Sequence, residues 1–448
     1  MGRDKASDVR LPPGVRDFLP RATARRVEIA RDILGRFELW GYQQIITPQF
    51  EVADVLERGL DAAAARSAIR FIEPGMGDVA LLRPDITPQV ARIAATRLDE
   101  TGGPLRLCYE GTVIRAGRAA RRQREIIQAG VELIGAPPGA GDAEIIALAS
   151  EVLLSASRRA GASDCRLEVG HVGPVQALLA EVPDVDHRRA LRRALSRRDL
   201  SAMSELTARL PDQLAAPLTV LPRLSGPLSE VRERAGDTHP EISSALSEIE
   251  SILGGAAELA PKAFSSVDVV VDLGEVGAFP YYTGARVAGW LSGAGDAVLV
   301  GGRYDKLVAR FGRDREATGF AVNIEALAEA HLEAGVPGRA GDGVLIVGKA
   351  PRSSVLAATL RRLGVRATVE LGGLRGKKNP LRYATAAGFA AVLFVGDSGA
   401  ELHVGRDKMK IPETVVSGSL KGDRKAQRRL RTAVRTDNGS VSLQGRKS

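Results

Sequence analysis

Apolar residues first recur at helical spacing over residues 22–39, where Val27, Ala30, Ile33, Leu34 and Phe37 share a face. This predicts a helix, stopped by Trp40-Gly41-Tyr42. The pattern then shortens. Residues 44–47 read as a strand that Pro48 ends, because proline cannot donate to a ladder. Residues 69–72 and 79–82 read as a β-hairpin around a glycine-rich turn at 75–78. A helix is expected over 86–96, with Pro88 in its first turn, where the missing N–H is not needed. Strands follow at 105–115 and 124–135 around a basic loop, then a helix at 143–160 and a strand at 165–169. From 173 to 265 the pattern is helical and charged, with scattered Pro and Gly, and reads as an insertion between parts of one sheet. Strands resume at 267–273, 284–290 and 297–300, and 318–330 runs from strand into helix. Strands far outnumber βαβ units, so this sheet should be largely antiparallel.

A Gly/Pro-rich stretch at 337–343 reads as a linker. Beyond it strands at 344–347, 365–371 and 391–395 alternate with helices at 352–363 and 377–387, which predicts a small α/β domain with a mostly parallel sheet. The fold class is therefore α+β. An antiparallel sheet with helices occupies 1–335 and includes the helical insertion at about 173–265; a small α/β domain follows at 343–415, then a basic tail at 416–448. From Asn438 the chain is polar and rich in Gly and Ser, and it is expected to fray. No internal repeat is present.

A length of 448 residues fits roughly two to three domains. No apolar run approaches the ~20 residues of a membrane span, and the first residues carry no apolar segment of a secretory signal. Cys108 and Cys165 are solitary, which argues against a disulfide framework or a zinc site and suits a reducing cytoplasm. His171, His187, His239, His331 and His403 show no ligand spacing, so no metal is expected. The net charge of +9 suits an RNA partner in principle. However, the chain is Arg-rich throughout, much of the excess lies beyond Lys421, and aromatics are only 4%. A solvated basic surface is the better reading of the charge, because a single-stranded RNA platform needs stacking rings.

Leu11 to Pro20, Gly41 to Pro48 and Leu82-Arg-Pro-Asp-Ile-Thr-Pro-Gln89 are followed in order by Tyr109-Glu-Gly-Thr-Val-Ile-Arg115 and Arg124-Glu-Ile-Ile-Gln-Ala-Gly-Val-Glu132. Tyr281-Tyr-Thr-Gly284, Gly301-Gly-Arg-Tyr-Asp305 and Gly319-Phe-Ala-Val-Asn-Ile-Glu-Ala-Leu327 complete the series. Over residues 11–335 this resembles the class II catalytic frame of histidyl-tRNA synthetases. It also resembles their catalytically silent paralogues, the regulatory subunits of ATP phosphoribosyltransferase, which act in histidine biosynthesis. The Asp-Ile-Thr-Pro-Gln and Arg-Glu-x-x-Gln-Ala-Gly segments look more like the second family. The stretch from 346 to 396 resembles the synthetase anticodon-binding domain and keeps the synthetase alternative open.

The resemblance implies that three catalytic positions are lost. The last motif ends Glu-Arg-Leu in the synthetases, and its arginine binds ATP phosphates; here that position is Ala326. The motif 2 glutamate position is Gly117, and an arginine four residues before the tyrosine pair is Gly277. Losing one such transition-state contact costs on the order of 100-fold in rate. No catalytic residue and no cofactor are therefore expected, and Gly301-Gly302 reads as a sheet-edge bend rather than a phosphate turn. The basic loop of Arg118, Arg121, Arg122 and Arg124 reads as a solvated charge run.

The amino-acid pocket reads differently. Gln128 and Glu132 are four apart on a strand, so both face one side. Taken alone, such a pair reads as a solvated sheet face; in this motif context it reads as a pocket. By resemblance, Glu132 and Tyr282 would hold an imidazole, Asp85, Thr87 and Gln128 the α-amino group, and Arg115 the carboxylate, with Tyr281 as a wall. The resemblance thus implies a non-catalytic regulatory subunit that binds L-histidine and partners a short-form ATP phosphoribosyltransferase, as a homodimer or a larger hetero-oligomer. An active synthetase, or a tRNA-binding sensor without catalysis, are the alternatives, with tRNA the lesser partner.

Overall fold

The computed structural model describes residues 11–98, 103–116, 123–161, 164–274, 281–334, 342–372 and 380–434. It divides into two compact units, Met1–Val336 and Pro337–Ser448.

The first unit is built on a nine-stranded sheet. Its strands are β1 (Gln43–Gln44), β5 (Leu105–Ile114), β6 (Glu125–Ile134), β7 (Cys165–His171), β8 (Ser225–Gly226), β9 (Asp268–Asp272), β10 (Ala285–Leu291), β11 (Leu299–Arg303) and β12 (Ala317–Asn323). They run in the order β1-β5-β6-β12-β11-β10-β7-β9-β8. The β1–β5 and β7–β9 pairs are parallel and the other pairs antiparallel. A separate small sheet joins β2 (Phe50–Val52), β4 (Val79–Leu82) and β3 (Arg70–Ile72) in that order, so the expected 69–82 hairpin forms with one more strand beside it.

One face of the large sheet carries the core. Helix Ala140–Ala160 is apolar almost all round and buries Ile145, Leu148, Val152 and Leu153, as a helix covered on every side must. It ends at Gly161, whose φ of 61° is the left-handed conformation that glycine adopts without a Cβ clash. Helix Pro20–Leu39 turns Ile29, Ile33 and Phe37 into the same core. The 173–265 stretch forms helices from Gly173–Ala180 to Pro261–Phe264, and its Leu178, Leu195, Leu218 and Ile249 join that core too. The insertion is thus part of the unit's interior.

Two expectations for this unit need correction. The 44–47 strand shrinks to Gln43–Gln44, and Ile46 is 90% exposed where a sheet residue would be covered. Gly301 and Gly302 are no edge bend. They lie mid-strand in β11, between β10 and β12, where the sheet is so tight that a Cβ on Gly301 would fall 2.2 Å from the Gly319 carbonyl oxygen. Gln128 and Glu132, which taken alone read as a solvated face and in their motif as a pocket, are 6% and 1% exposed.

The second unit has a five-stranded sheet of β13 (Val344–Gly348), β14 (Ala367–Val369), β15 (Ala391–Gly396), β16 (Gly399–Val404) and β17 (Asp407–Pro412), ordered β14-β13-β15-β16-β17. The first three are parallel, and the last two add an antiparallel hairpin that the sequence pattern did not reveal. Helices Arg352–Arg362, Glu413–Leu420 and Arg424–Val434 cover one face, and Pro380–Ala386 the other. The expected basic tail from 416 is therefore folded as far as Val434. Ala426, Leu430 and Val434 recur every four residues on the buried side of the last helix, and the arginines take the other side. The stretch from Asn438 lies outside the described residues.

Candidate ligand pocket

At the centre of the large sheet, β5, β6, β12 and β11 lie side by side. The register sets Glu132 opposite Leu107 on β5 and Gly319 on β12, and Gln128 opposite Asn323. Because side chains alternate, Gln128 and Glu132 rise on one face. Over them runs the segment before helix Thr87–Arg97, which brings Asp85 and Thr87. Together they line a cavity of about 40 Å³, partly open to solvent and well below the ~300 Å³ of an ordinary ligand site.

All seven sequence-selected residues line this cavity: Asp85, Thr87, Arg115, Gln128, Glu132, Tyr281 and Tyr282. Asp85 Oδ2 accepts the Tyr281 hydroxyl at 3.1 Å, and its Oδ1 accepts the Thr87 N–H at 3.3 Å. Arg115 Nε donates to the Pro84 carbonyl at 2.9 Å. Tyr281 and Tyr282 meet edge to face at 5.2 Å. Gln128 Nε2 is buried with no hydrogen-bond partner, a donor left for something in the cavity.

Glu132 is the electrostatic centre. Thr87 Oγ1 donates to its Oε1 at 2.7 Å, the Tyr109 hydroxyl approaches the same oxygen at 3.4 Å, and the Tyr304 hydroxyl donates to Oε2. Burial pushes its carboxyl up to about 8, and the Asp85 carboxylate adds to the shift, against the pull of the three hydroxyls. Burial likewise holds the Tyr109, Tyr281 and Tyr304 phenols well above their ordinary range, with Glu132 contributing at all three and Asp85 at Tyr109 and Tyr281, so all three stay protonated. Tyr304 and Tyr109 are the partners of Glu132 that sequence reasoning missed. Both sat inside quoted motifs, and the pairing of β5 with β6 was the signal that could have placed Tyr109.

The phosphate side is different. Ala326 is 5% exposed and belongs to the hydrophobic core. It sits in the first turn of helix Ile324–Glu333, where Asn323 Oδ1 caps the N–H groups of Glu325 and Ala326 at 3.0 and 3.1 Å. Arg26 grips the buried Glu325 carboxylate, with Nε at 2.9 Å from both oxygens and Nη2 at 2.5 Å from Oε2. Arg303 is paired to Asp142 at 2.8 Å and Asp305 at 2.8 Å. Gly117, Arg118, Arg121, Arg122 and Gly277 lie outside the described residues. Arg124 donates its backbone N–H to Gly14 at 2.9 Å. Among the described residues, no group of three or more His, Cys, Asp or Glu could hold a metal ion, and no helix is long and apolar enough to cross a membrane.

A large antiparallel sheet carrying these motifs in this order defines a class II synthetase-like protein. The histidyl-tRNA synthetase family model matches residues 14–327. The chain is 42% identical over 325 residues to an ATP phosphoribosyltransferase regulatory subunit of Anaeromyxobacter dehalogenans, covering 71% of this chain and 90% of the relative. It is 34% identical over 398 residues to one of Rubrobacter xylanophilus, covering 87% and 92%. Among solved structures, an ATP phosphoribosyltransferase regulatory subunit/histidyl-tRNA synthetase from Bacillus halodurans C superposes with a TM-score of 0.72 at 28% identity, over 88% of this chain and 99% of that one. A histidyl-tRNA synthetase from Nostoc shares the fold, with a TM-score of 0.70 at 16% identity over 92% and 99%. The chain belongs to the ATP phosphoribosyltransferase regulatory subunits, the non-catalytic branch of the histidyl-tRNA synthetase-like family.

Proposed function

We propose that this chain senses L-histidine and sets the activity of a short-form ATP phosphoribosyltransferase in the cytoplasm. The observation that carries the reading is the contrast within one frame. Seven polar and aromatic residues converge on one cavity, while the phosphate-side position is a core alanine. The cavity has a donor for a carboxylate in Arg115, a carboxylate for an ammonium group in Asp85, and a hydroxyl-bonded carboxyl for a ring nitrogen in Glu132; the unpartnered Gln128 Nε2 can only donate, so it suits the ligand's carboxylate and not the α-amino group that the resemblance gave it. A zwitterion with an imidazole side chain matches that set.

Assembly follows the class II pattern. A groove of about 880 Å³ runs along helix Pro20–Leu39, β1 and β5, and mixes apolar Val27 and Leu34 with Arg31, Glu38 and Glu110. Apolar patches with both charge signs suit a self-complementary two-fold contact. We assign this face to a homodimer, to which the catalytic subunits add.

The test is reconstitution with a short-form catalytic subunit. Histidine should inhibit the mixture and leave the catalytic subunit alone unaffected. By linkage, the catalytic subunit's ligands should shift histidine affinity in return, by about 5–150-fold if the coupling is typical. A stable complex whose rate ignores histidine would reduce this chain to a scaffold. Histidine-dependent ATP–pyrophosphate exchange above background would restore the synthetase reading.

A further inference from the structure

We propose that the occupied pocket holds one proton shared between the Glu132 carboxyl and the imidazole ring of its ligand, so that binding near neutral pH exchanges almost no proton with solvent. This deepens the histidine reading and rests on it.

The geometry carries the inference. Glu132 is 1% exposed, and among the described residues its oxygens are met by the hydroxyls of Thr87, Tyr109 and Tyr304. The ionisable groups facing it around the cavity are Asp85, Arg115, Tyr109, Tyr281, Tyr282 and Tyr304. The carboxylate among them raises the cost of a second anion, and Arg115 is anchored on the Pro84 carbonyl. A carboxylate buried without a cation takes up a proton instead, and the shift of this carboxyl to about 8 agrees with that. Hydroxyls suit either form, since each can donate to a carboxylate or accept from a carboxylic acid.

The ligand supplies the missing cation. Its imidazole, with an ordinary value of about 6.5, enters mostly neutral. The Glu132 O–H bond breaks as a ring N–H bond forms, and the electron pair stays on the carboxylate. The product is an imidazolium–carboxylate pair, with the same single proton as the separated partners. Above pH 8 both free partners lack that proton, and one must be taken up. Below about 6.5 both carry one, and one must be released. Affinity should therefore be level between these limits and fall about tenfold per pH unit outside them. A side chain of the same shape that cannot be protonated would gain no such pair, so the arrangement selects a basic ring.

The test is calorimetry of L-histidine binding to the full chain in buffers of different ionisation enthalpy. The titration of the ligand's α-amino group, measured on free histidine, is subtracted. Near pH 7.2 net uptake should be close to zero. At pH 8.5 it should be about 0.8 proton, the ionised fraction of a group at about 8. Glu132→Gln, which has no proton to share, should lose that uptake, and Tyr304→Phe should displace it to higher pH. Uptake below about 0.2 proton at pH 8.5 in the unaltered protein overturns the shared proton while leaving histidine as the ligand. Absence of histidine binding at every pH overturns the ligand assignment itself.

Discussion

Replacing Arg26 with methionine tests whether the frame beside Ala326 is held by a buried ion pair. The Arg26 and Glu325 side chains are 7% and 4% exposed and meet through a two-pronged contact. Removing one partner of such a pair costs about 3–5 kcal/mol, because the other charge is left buried and unmatched. Arg16 lowers that figure. Its Nη2 already stands 3.3 Å from Glu325 Oε2, and its half-exposed side chain can move closer. In the other direction, Arg26 lies 3.9 Å from the centre of the Phe18 ring, a contact worth about 0.5–2 kcal/mol. The two corrections roughly cancel, so we expect a loss of about 3–5 kcal/mol. Urea unfolding followed by circular dichroism reads it as a lower midpoint for the transition of the first unit. The double variant Arg26→Met/Glu325→Leu removes both charges and should recover most of the loss. A single variant costing under 1 kcal/mol, or a double variant no better than the single, would refute the account.

Three further outcomes follow. The Glu132 carboxyl sits above its ordinary 4.5 in the folded chain, so its contribution to stability is complete below about pH 4.5 and is lost as pH rises through about 8; thermal melts of Glu132→Gln should gain on the unaltered protein across that window, and parallel curves would contradict it. Leu430, fully buried against the second sheet, should cost about 2–5 kcal/mol as Leu430→Ala and lower a transition of the second unit alone; an unchanged melt would mean that the last helix is dispensable. Light scattering at micromolar concentration should report a dimer, and charge reversal at Arg31 in the 880 Å³ groove should shift it towards monomer.

The long amphipathic elements were legible from the sequence because one burial pattern dominates them. Helix Pro20–Leu39 and strands β5 and β6 lie within a few residues of their expected bounds. The last helix was hidden because Ala426, Leu430 and Val434 are three small or aliphatic positions among Arg424, Lys425, Arg428, Arg429 and Arg431, and average composition reads as tail. The β16–β17 hairpin was missed although its alternation is plain, with Ala400, Leu402 and Val404 set between Glu401 and His403, and Met409 and Ile411 between Lys408 and Lys410. In the pocket, charged and amide residues stood out within motifs. Tyr304 and Tyr109 did not, because a tyrosine in a strand-rich segment reads first as core. Only the folded chain shows that their hydroxyls end on Glu132.

The glycines under the pocket carry a consequence of their own. Gly130, Gly319 and Gly301 lie on the adjacent strands β6, β12 and β11. A methyl group on Gly319 would fall 2.1 Å from Glu132 Oε2, and one on Gly130 would fall 2.4 Å from the Tyr109 hydroxyl oxygen. The cavity is therefore kept open by atoms that are missing as much as by groups that are present. A sister chain could preserve every polar residue of the pocket and still lose its shape, through a single alanine at position 319. Ranking such chains by their polar signatures alone would count it as a working sensor, and the glycine floor is where the difference would have to be sought.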